Sequence, residues 1–112
     1  MLYAKVVFGL PLEGPFDYIV GKEFEGKISA GSRVSVTFGP KKMIGYVVEL
    51  TDKSKIRNLK KIINLLDDSA ILDKNMLKLT KQLSEYYCCS WGEAIETALP
   101  EPLRRGKVLN GG

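Results

Sequence analysis

The chain of 112 residues contains no histidine. The side chain most often used as a general base near neutral pH, and the commonest metal ligand, is therefore missing. Cysteine is nearly as scarce. Cys88 and Cys89 are adjacent, a spacing that rarely closes into a disulfide, so no disulfide framework is expected. No apolar run approaches the length of a membrane span, and the amino terminus lacks the apolar core of a secretory signal. These absences point to a cytoplasmic protein with no membrane partner, no metal site and no catalytic residue. One phosphate-binding mimic occurs, two glycines five apart followed by lysine (Gly21, Gly26, Lys27). It fails as a P-loop. Ile28 stands where the magnesium-binding hydroxyl belongs, and Glu23 and Glu25 would repel phosphate.

What is present is cationic charge, unevenly spread. Net charge is +4, yet Lys27, Arg33, Lys41, Lys42, Lys53, Lys55, Arg57, Lys60 and Lys61 fall between positions 26 and 66, against two acidic residues there, Glu49 and Asp52. A basic centre invites a polyanion. A solvated lysine-rich surface is the plainer alternative.

At the heart of that segment, residues 33–50 (RVSVTFGPKKMIGYVVEL) read as a β-hairpin. Val34, Val36 and Phe38 alternate with polar neighbours, and Ile44, Tyr46, Val48 and Leu50 resume the period of two. The expectation is one apolar face and a turn over Gly39, Pro40, Lys41 and Lys42, with both ammonium groups at its tip. Residues 2–8 give a first strand with Ala4, Val6 and Phe8 on one side. Residues 9–15, with two glycines and two prolines, form a rigid loop. Residues 16–20 give a short strand that puts Phe16, Tyr18 and Val20 on one face and Asp17 on the other. Core packing is the ordinary role of Tyr18, and turn capping that of an Asp in this position. Residues 51–57 form a polar, positively charged loop, and residues 58–66 are expected as a strand rather than a short helix.

The last third changes period. Asp73 is placed to cap a helix over residues 74–87, with Met76, Leu79, Leu83 and Tyr86 as its apolar stripe. Ser90 and Glu93 fit a capping box that opens a second helix to about Leu99, with Ala94, Ile95, Ala98 and Leu99 inward and Pro100 and Pro102 as stops. Trp91 reads as a helix-packing residue. The fold class expected is α+β: a small antiparallel barrel-like sheet of about five strands followed by two helices. It forms one domain over residues 1–102, with 103–112 a linker or the truncated start of a next domain.

Several of these pieces together carry a family resemblance. They are Pro-Leu-x-x-Pro-Phe-Asp-Tyr (residues 11–18), Gly-x-Arg-Val-x-Val-x-Phe-Gly (31–39), Ile-Gly-Tyr-Val-Val (44–48), Leu59 with Lys60, Tyr86 with Tyr87, Gly92 with Glu93, and Ala-Leu-Pro (98–100). In this order, over about residues 3–106, the chain resembles the amino-terminal DNA-binding domain of the bacterial primosomal protein N′, the replication-restart helicase PriA. The resemblance implies a module that holds the 3′ end of the nascent leading strand at a stalled fork without regard to base. It implies a pocket matching Phe16, Asp17, Gly39 and Lys60. ATP, magnesium and zinc are implied for the helicase part, which lies outside this chain. Single-strand DNA-binding protein and other primosome proteins are implied as partners through the parent protein.

The chemistry of those residues agrees. A carboxylate repels phosphate but accepts hydrogen bonds from base amino or imino groups and from a terminal 3′-hydroxyl. Asp17 is thus suited to sense where a strand stops. Phe16 offers an apolar wall that any base can meet. Gly39 lets backbone approach closely, and Lys60 supplies charge. Tyr18, Lys41, Lys42 and Lys61 complete the expected nucleic-acid surface. A rival reading is a small basic barrel that docks on RNA or on a protein, although the aromatic residues are not spaced as an RNA stacking platform.

Overall fold

A computed structural model describes residues 1–56, 58–67 and 69–100. Its strands are β1 (Tyr3–Val7), β2 (Phe16–Ile19), β3 (Arg33–Phe38), β4 (Lys41–Thr51) and β5 (Asn64–Leu65), followed by helices α1 (Lys74–Tyr86) and α2 (Trp91–Ala98). The spatial order is β2-β1-β4-β3-β5, and each of these pairs is antiparallel. This is the α+β arrangement expected from the sequence. The boundary expected at residue 102 and the stretch after it lie outside the described residues.

The strand expected over residues 58–66 is shorter than its apolar pattern suggests. Its ladder is confined to β5 and one parallel bridge between Ile19 and Lys61. The backbone is nevertheless used on both sides. Ile19 N–H donates to the Lys60 carbonyl (2.9 Å) and Ile62 N–H to the Ile19 carbonyl (3.0 Å). Further on, Ile63 N–H donates to the Ser35 carbonyl (2.8 Å) and Leu66 N–H to the Arg33 carbonyl (3.0 Å). One stretch therefore ties β2 to β3 and curls the sheet towards a barrel.

The hairpin differs from expectation in two ways. Its loop is Gly39 and Pro40 alone, because Phe38 already pairs with Lys41 and Thr37 with Lys42. Gly39 takes a positive φ of 60°, and positive φ followed by a Pro-compatible position is what a II′ hairpin turn demands. Lys41 and Lys42 are thus strand residues on alternate faces rather than a joint basic tip. Nor does the hairpin have a single apolar face. Val34 lies opposite Gly45 and Val36 opposite Met43, so Ile44, Tyr46 and Val48 point away from Val34 and Val36. Beneath β3, an inner core gathers Ala4, Val6, Phe8, Tyr18, Val34, Val36, Val47 and Ile62. On the other side, Val7, Tyr46 and Val48 pack with Leu72, Leu77, Ile95 and Leu99 under the helices. Strand β4 is central and covered on both faces, so both of its parities are apolar. A bulge reinforces this. Lys5 pairs with Glu49 but Val6 pairs with Val47, which skips Val48 and returns Leu50 to the inner side.

Arg33 leaves the basic surface altogether. It is 2% exposed, and Asp67 grips its guanidinium at 2.9 Å (Nε) and 2.7 Å (Nη2) and accepts its backbone N–H at 3.2 Å. The bidentate geometry matches the planar fork of arginine.

Helix α1 starts as expected, with Met76 N–H donating to the Asp73 side chain (2.8 Å), but it buries another stripe. Leu77, Thr80 and Ser84 face inward; of the expected stripe, Met76 packs at the edge of this core and Leu83 is half-buried, while Leu79 and Tyr86 are exposed. Helix α2 carries the expected capping box of Ser90 and Glu93. It buries Gly92, Ala94 and Ile95, and Ala98 points to solvent. Trp91 packs between the helices and donates to Thr80 Oγ1 (3.0 Å). Gly92 lies directly on the backbone of Phe8, where a Cβ would collide with the Phe8 carbonyl. Backbone cannot swing aside as a side-chain tip can, so Gly92→Ala is expected to destabilise by about 1–3 kcal/mol. A urea-unfolding midpoint equal to that of the native chain would contradict this.

Candidate nucleic-acid interface

Three segments meet at one end of the barrel: the start of β2, the β3–β4 turn, and the stretch that leads into the closing segment. Between them lies a cleft of about 270 Å³ lined by Phe16, Asp17, Tyr18, Phe38, Gly39 and Lys60, among others. Its size falls just under the range of about 300–1,000 Å³ typical of pockets for drug-sized ligands, which suits one nucleoside rather than a run of bases.

The aromatic side of the cleft is braced from within. Phe16 and Phe38 have ring centroids 5.1 Å apart, and both stack on the buried Phe8 (5.9 and 5.0 Å). These are favourable tilted and edge-on separations, so neither ring is loose. Tyr18 is part of this frame. It is buried, and its hydroxyl donates to the Thr37 carbonyl (2.9 Å). Burial pushes its phenol pKa up, so it stays a neutral donor. The side chain that the sequence offered as a nucleic-acid contact thus fastens β2 to β3 with its polar end.

Asp17 projects from the opposite parity of β2. Its side chain is 7% exposed. Lys5, directly across the ladder, donates to Oδ1 (3.1 Å), and the Ser54 hydroxyl donates to Oδ2 (2.7 Å). Each carboxylate oxygen keeps acceptor capacity after one such bond, since the group has about four lone-pair sites. The capping role open to this Asp is not the one it plays, because its partners are distant in sequence. Gly39 sits at the rim. Among the described residues beyond its chain neighbours, none comes within 4 Å of a Cβ placed there, which leaves that side open to a ligand. Lys60 is exposed, and its carbonyl is anchored by Ile19.

The other expected cations are elsewhere. Lys42 lines a separate cleft with Leu10, Ile44 and Glu96. Lys41 is an exposed first residue of β4, and Lys61 is an exposed residue at the parallel bridge to Ile19. None of the three lines the cleft that holds Asp17. Three contributors were missed. Phe38 could have been found from its place beside Gly39. Lys5 could have been found by pairing the first two strands in antiparallel register. Ser54 carries no sequence signal, because it reaches Asp17 across a loop. Among the described residues, no group of three or more cysteine and acidic side chains could hold a metal ion, and no helix is long and apolar enough to cross a membrane.

Residues 5–100 match the family model described as 3′DNA-binding domain (3′BD). Similar curated proteins include the "Replication restart protein PriA" of Treponema pallidum (strain Nichols), 27% identical over 108 residues, covering 91% of this chain and 16% of that protein. The protein of the same name from Bacillus subtilis (strain 168) is 29% identical over 109 residues, covering 93% and 14%. That of Haemophilus influenzae (strain ATCC 51907 / DSM 11121 / KW20 / Rd) is 30% identical over 109 residues, covering 96% and 15%. The chain therefore spans 14–16% of the length of these relatives.

Proposed function

The chain belongs to the 3′DNA-binding domain family, and from that premise we propose that it holds the free 3′ end of a nascent leading strand at a stalled replication fork, whatever the terminal base. It acts as a binding module without catalysis of its own and needs neither metal nor nucleotide to bind. The motor that unwinds DNA, and the contacts with single-strand DNA-binding protein and the primosome, belong to the remainder of a PriA-type parent.

One observation carries the reading. Phe16, Asp17, Gly39 and Lys60, far apart in sequence, line a single cleft of about one nucleoside's size. In it, an aromatic wall meets any base. The Asp17 carboxylate accepts a hydrogen bond from the terminal 3′-hydroxyl. A 3′-phosphate brings negative charge against that carboxylate, and a continuing strand brings bulk. Lys60 attracts the backbone phosphate just upstream.

The test is a fluorescence anisotropy titration at fixed salt, comparing a fork whose leading strand ends in a 3′-hydroxyl at the junction with the same fork ending in a 3′-phosphate. A hydrogen bond to a charged group is worth about 1.5–3 kcal/mol, so the hydroxyl fork should bind at least about tenfold tighter. Equal affinities would sink the reading. Preference for a competing RNA of the same length would favour the RNA-docking alternative.

A further inference from the structure

Given the 3′-end pocket proposed above, we infer that Ile56 forms its second apolar wall and that Ser54 holds this wall in register with Asp17. Phe16 and Phe38 line the cleft from the sheet, and Ile56 lines it from the loop. Ile56 is 57% exposed in a stretch otherwise made of polar residues, Asp52, Lys53, Ser54 and Lys55 before it and Asn58 after it. A scattered exposed isoleucine needs no explanation by itself. This one is placed on a ligand-sized cleft, and its backbone is tied to the polar group of that cleft.

The tie is a relay through one hydroxyl. Ser54 Oγ donates to Asp17 Oδ2 (2.7 Å) and accepts the Ile56 backbone N–H (3.3 Å). The group that fixes one carboxylate oxygen thus also fixes the loop two residues further on. Asn58, with a positive φ of 60°, then turns the chain into Leu59 and Lys60, which line the same cleft. A residue that adopts this conformation without glycine is usually asparagine or aspartate, so the loop has a defined return path rather than a slack one. The terminal base is held between the aromatic pair and Ile56, both apolar, so that neither wall reads its identity. Ser54 is a positioning residue, because it touches Asp17 and Ile56 rather than the base.

Ile56→Ala removes apolar contact from an exposed position, so the thermal midpoint should not move. Affinity for a fork with a 3′-hydroxyl at the junction should fall about tenfold, equally for all four terminal bases, with blunt duplex binding unchanged. Ile56→Leu should restore it. Ser54→Ala should narrow the ratio between 3′-hydroxyl and 3′-phosphate forks, and Ser54→Thr, which keeps the hydroxyl, should recover it. A merely structural serine would lower affinity for both ends alike and leave the ratio intact. Fork binding by Ile56→Ala equal to native, or a parallel loss on duplex, overturns the inference. A native chain that does not distinguish the two ends removes the pocket reading and this inference with it. A native chain that does, beside an indifferent Ile56→Ala, removes this inference alone.

Discussion

Replacing Asp67 by alanine is expected to lower the folding free energy by about 3 kcal/mol. The carboxylate takes three hydrogen bonds from Arg33, two of them from a guanidinium that is almost wholly buried. Removing one partner of a buried ion pair costs about 3–5 kcal/mol, mostly because the remaining charge stays out of water. The Asp67 side chain is itself 12% exposed, so water can reach the vacated position, which places the expectation at the low end of that range. Small domains are stable by about 5–15 kcal/mol in total, so the variant loses a large share of its margin. Thermal unfolding should move down by about 12–24 °C. The double replacement Arg33→Met, Asp67→Leu should recover much of the loss, since a well-packed apolar pair is often as stable as the ion pair it replaces. A shift of less than a few degrees for Asp67→Ala would mean that the guanidinium reaches solvent by another route. The pair also joins the first residue of β3 to the chain just after β5. Its loss should therefore loosen the closing segment that carries Lys60.

This pair shows what the sequence could not convey. Arg33 looked like part of a basic surface because charge counts carry no burial information, and Asp67 lies on a different segment. The strands themselves were readable. Residues 3–6, 16–18 and 34–38 alternate because one face of each is packed and the other is polar or lightly covered, whereas Val7 and Arg33 are buried on the second face. Strand β4 misled, since it is central and both faces are covered. Alternation along it does not say which set points inward, and the bulge at Val48 reverses the sense partway. Helix α1 misled for a different reason. Leu79 and Tyr86 are apolar yet exposed, while Thr80 and Ser84 are polar yet buried. The hydroxyls are satisfied within the helix, Thr80 Oγ1 donating to the Met76 carbonyl (2.8 Å) and Ser84 Oγ to the Lys81 carbonyl (2.6 Å). A hydroxyl that bonds back to its own helix can be buried at little cost, and hydropathy patterning does not register it. In the cleft, Phe16, Asp17, Gly39 and Lys60 were nameable through a motif pattern. The groups that hold Asp17 depend on strand register in the case of Lys5 and on a loop crossing in the case of Ser54, and no local pattern encodes either.

Asp17→Ala is expected to weaken binding to a fork with a 3′-hydroxyl at the junction by about 10- to 100-fold, the worth of a hydrogen bond to a charged group, and to leave plain duplex binding nearly unchanged. The fold should tolerate the change. The Asp17 side chain is 7% exposed, and its loss leaves Lys5 and the Ser54 hydroxyl without their acceptor. Lys5, however, is 30% exposed and regains water, so a cost of about 1–3 kcal/mol is expected, checked by the thermal midpoint. Removing a carboxylate that pairs with Lys5, from a cleft that Lys60 also lines, makes the site more positive, so a purely electrostatic view predicts tighter DNA binding. The two views therefore differ in sign, not merely in size. Salt dependence separates them further. Lys60→Ala removes a phosphate contact and should flatten the plot of log affinity against log salt by about 0.7 for a single strand. Asp17→Ala should shift that plot downward without flattening it, because the bond it removes releases no counterion. If Asp17→Ala binds the fork more tightly, the carboxylate is repelling the DNA backbone and end recognition lies elsewhere. If it binds fork and duplex equally weakly, the loss is one of folding. A downward shift confined to the 3′-hydroxyl end, with an unchanged slope, follows when the group accepts a hydrogen bond from the end of the strand.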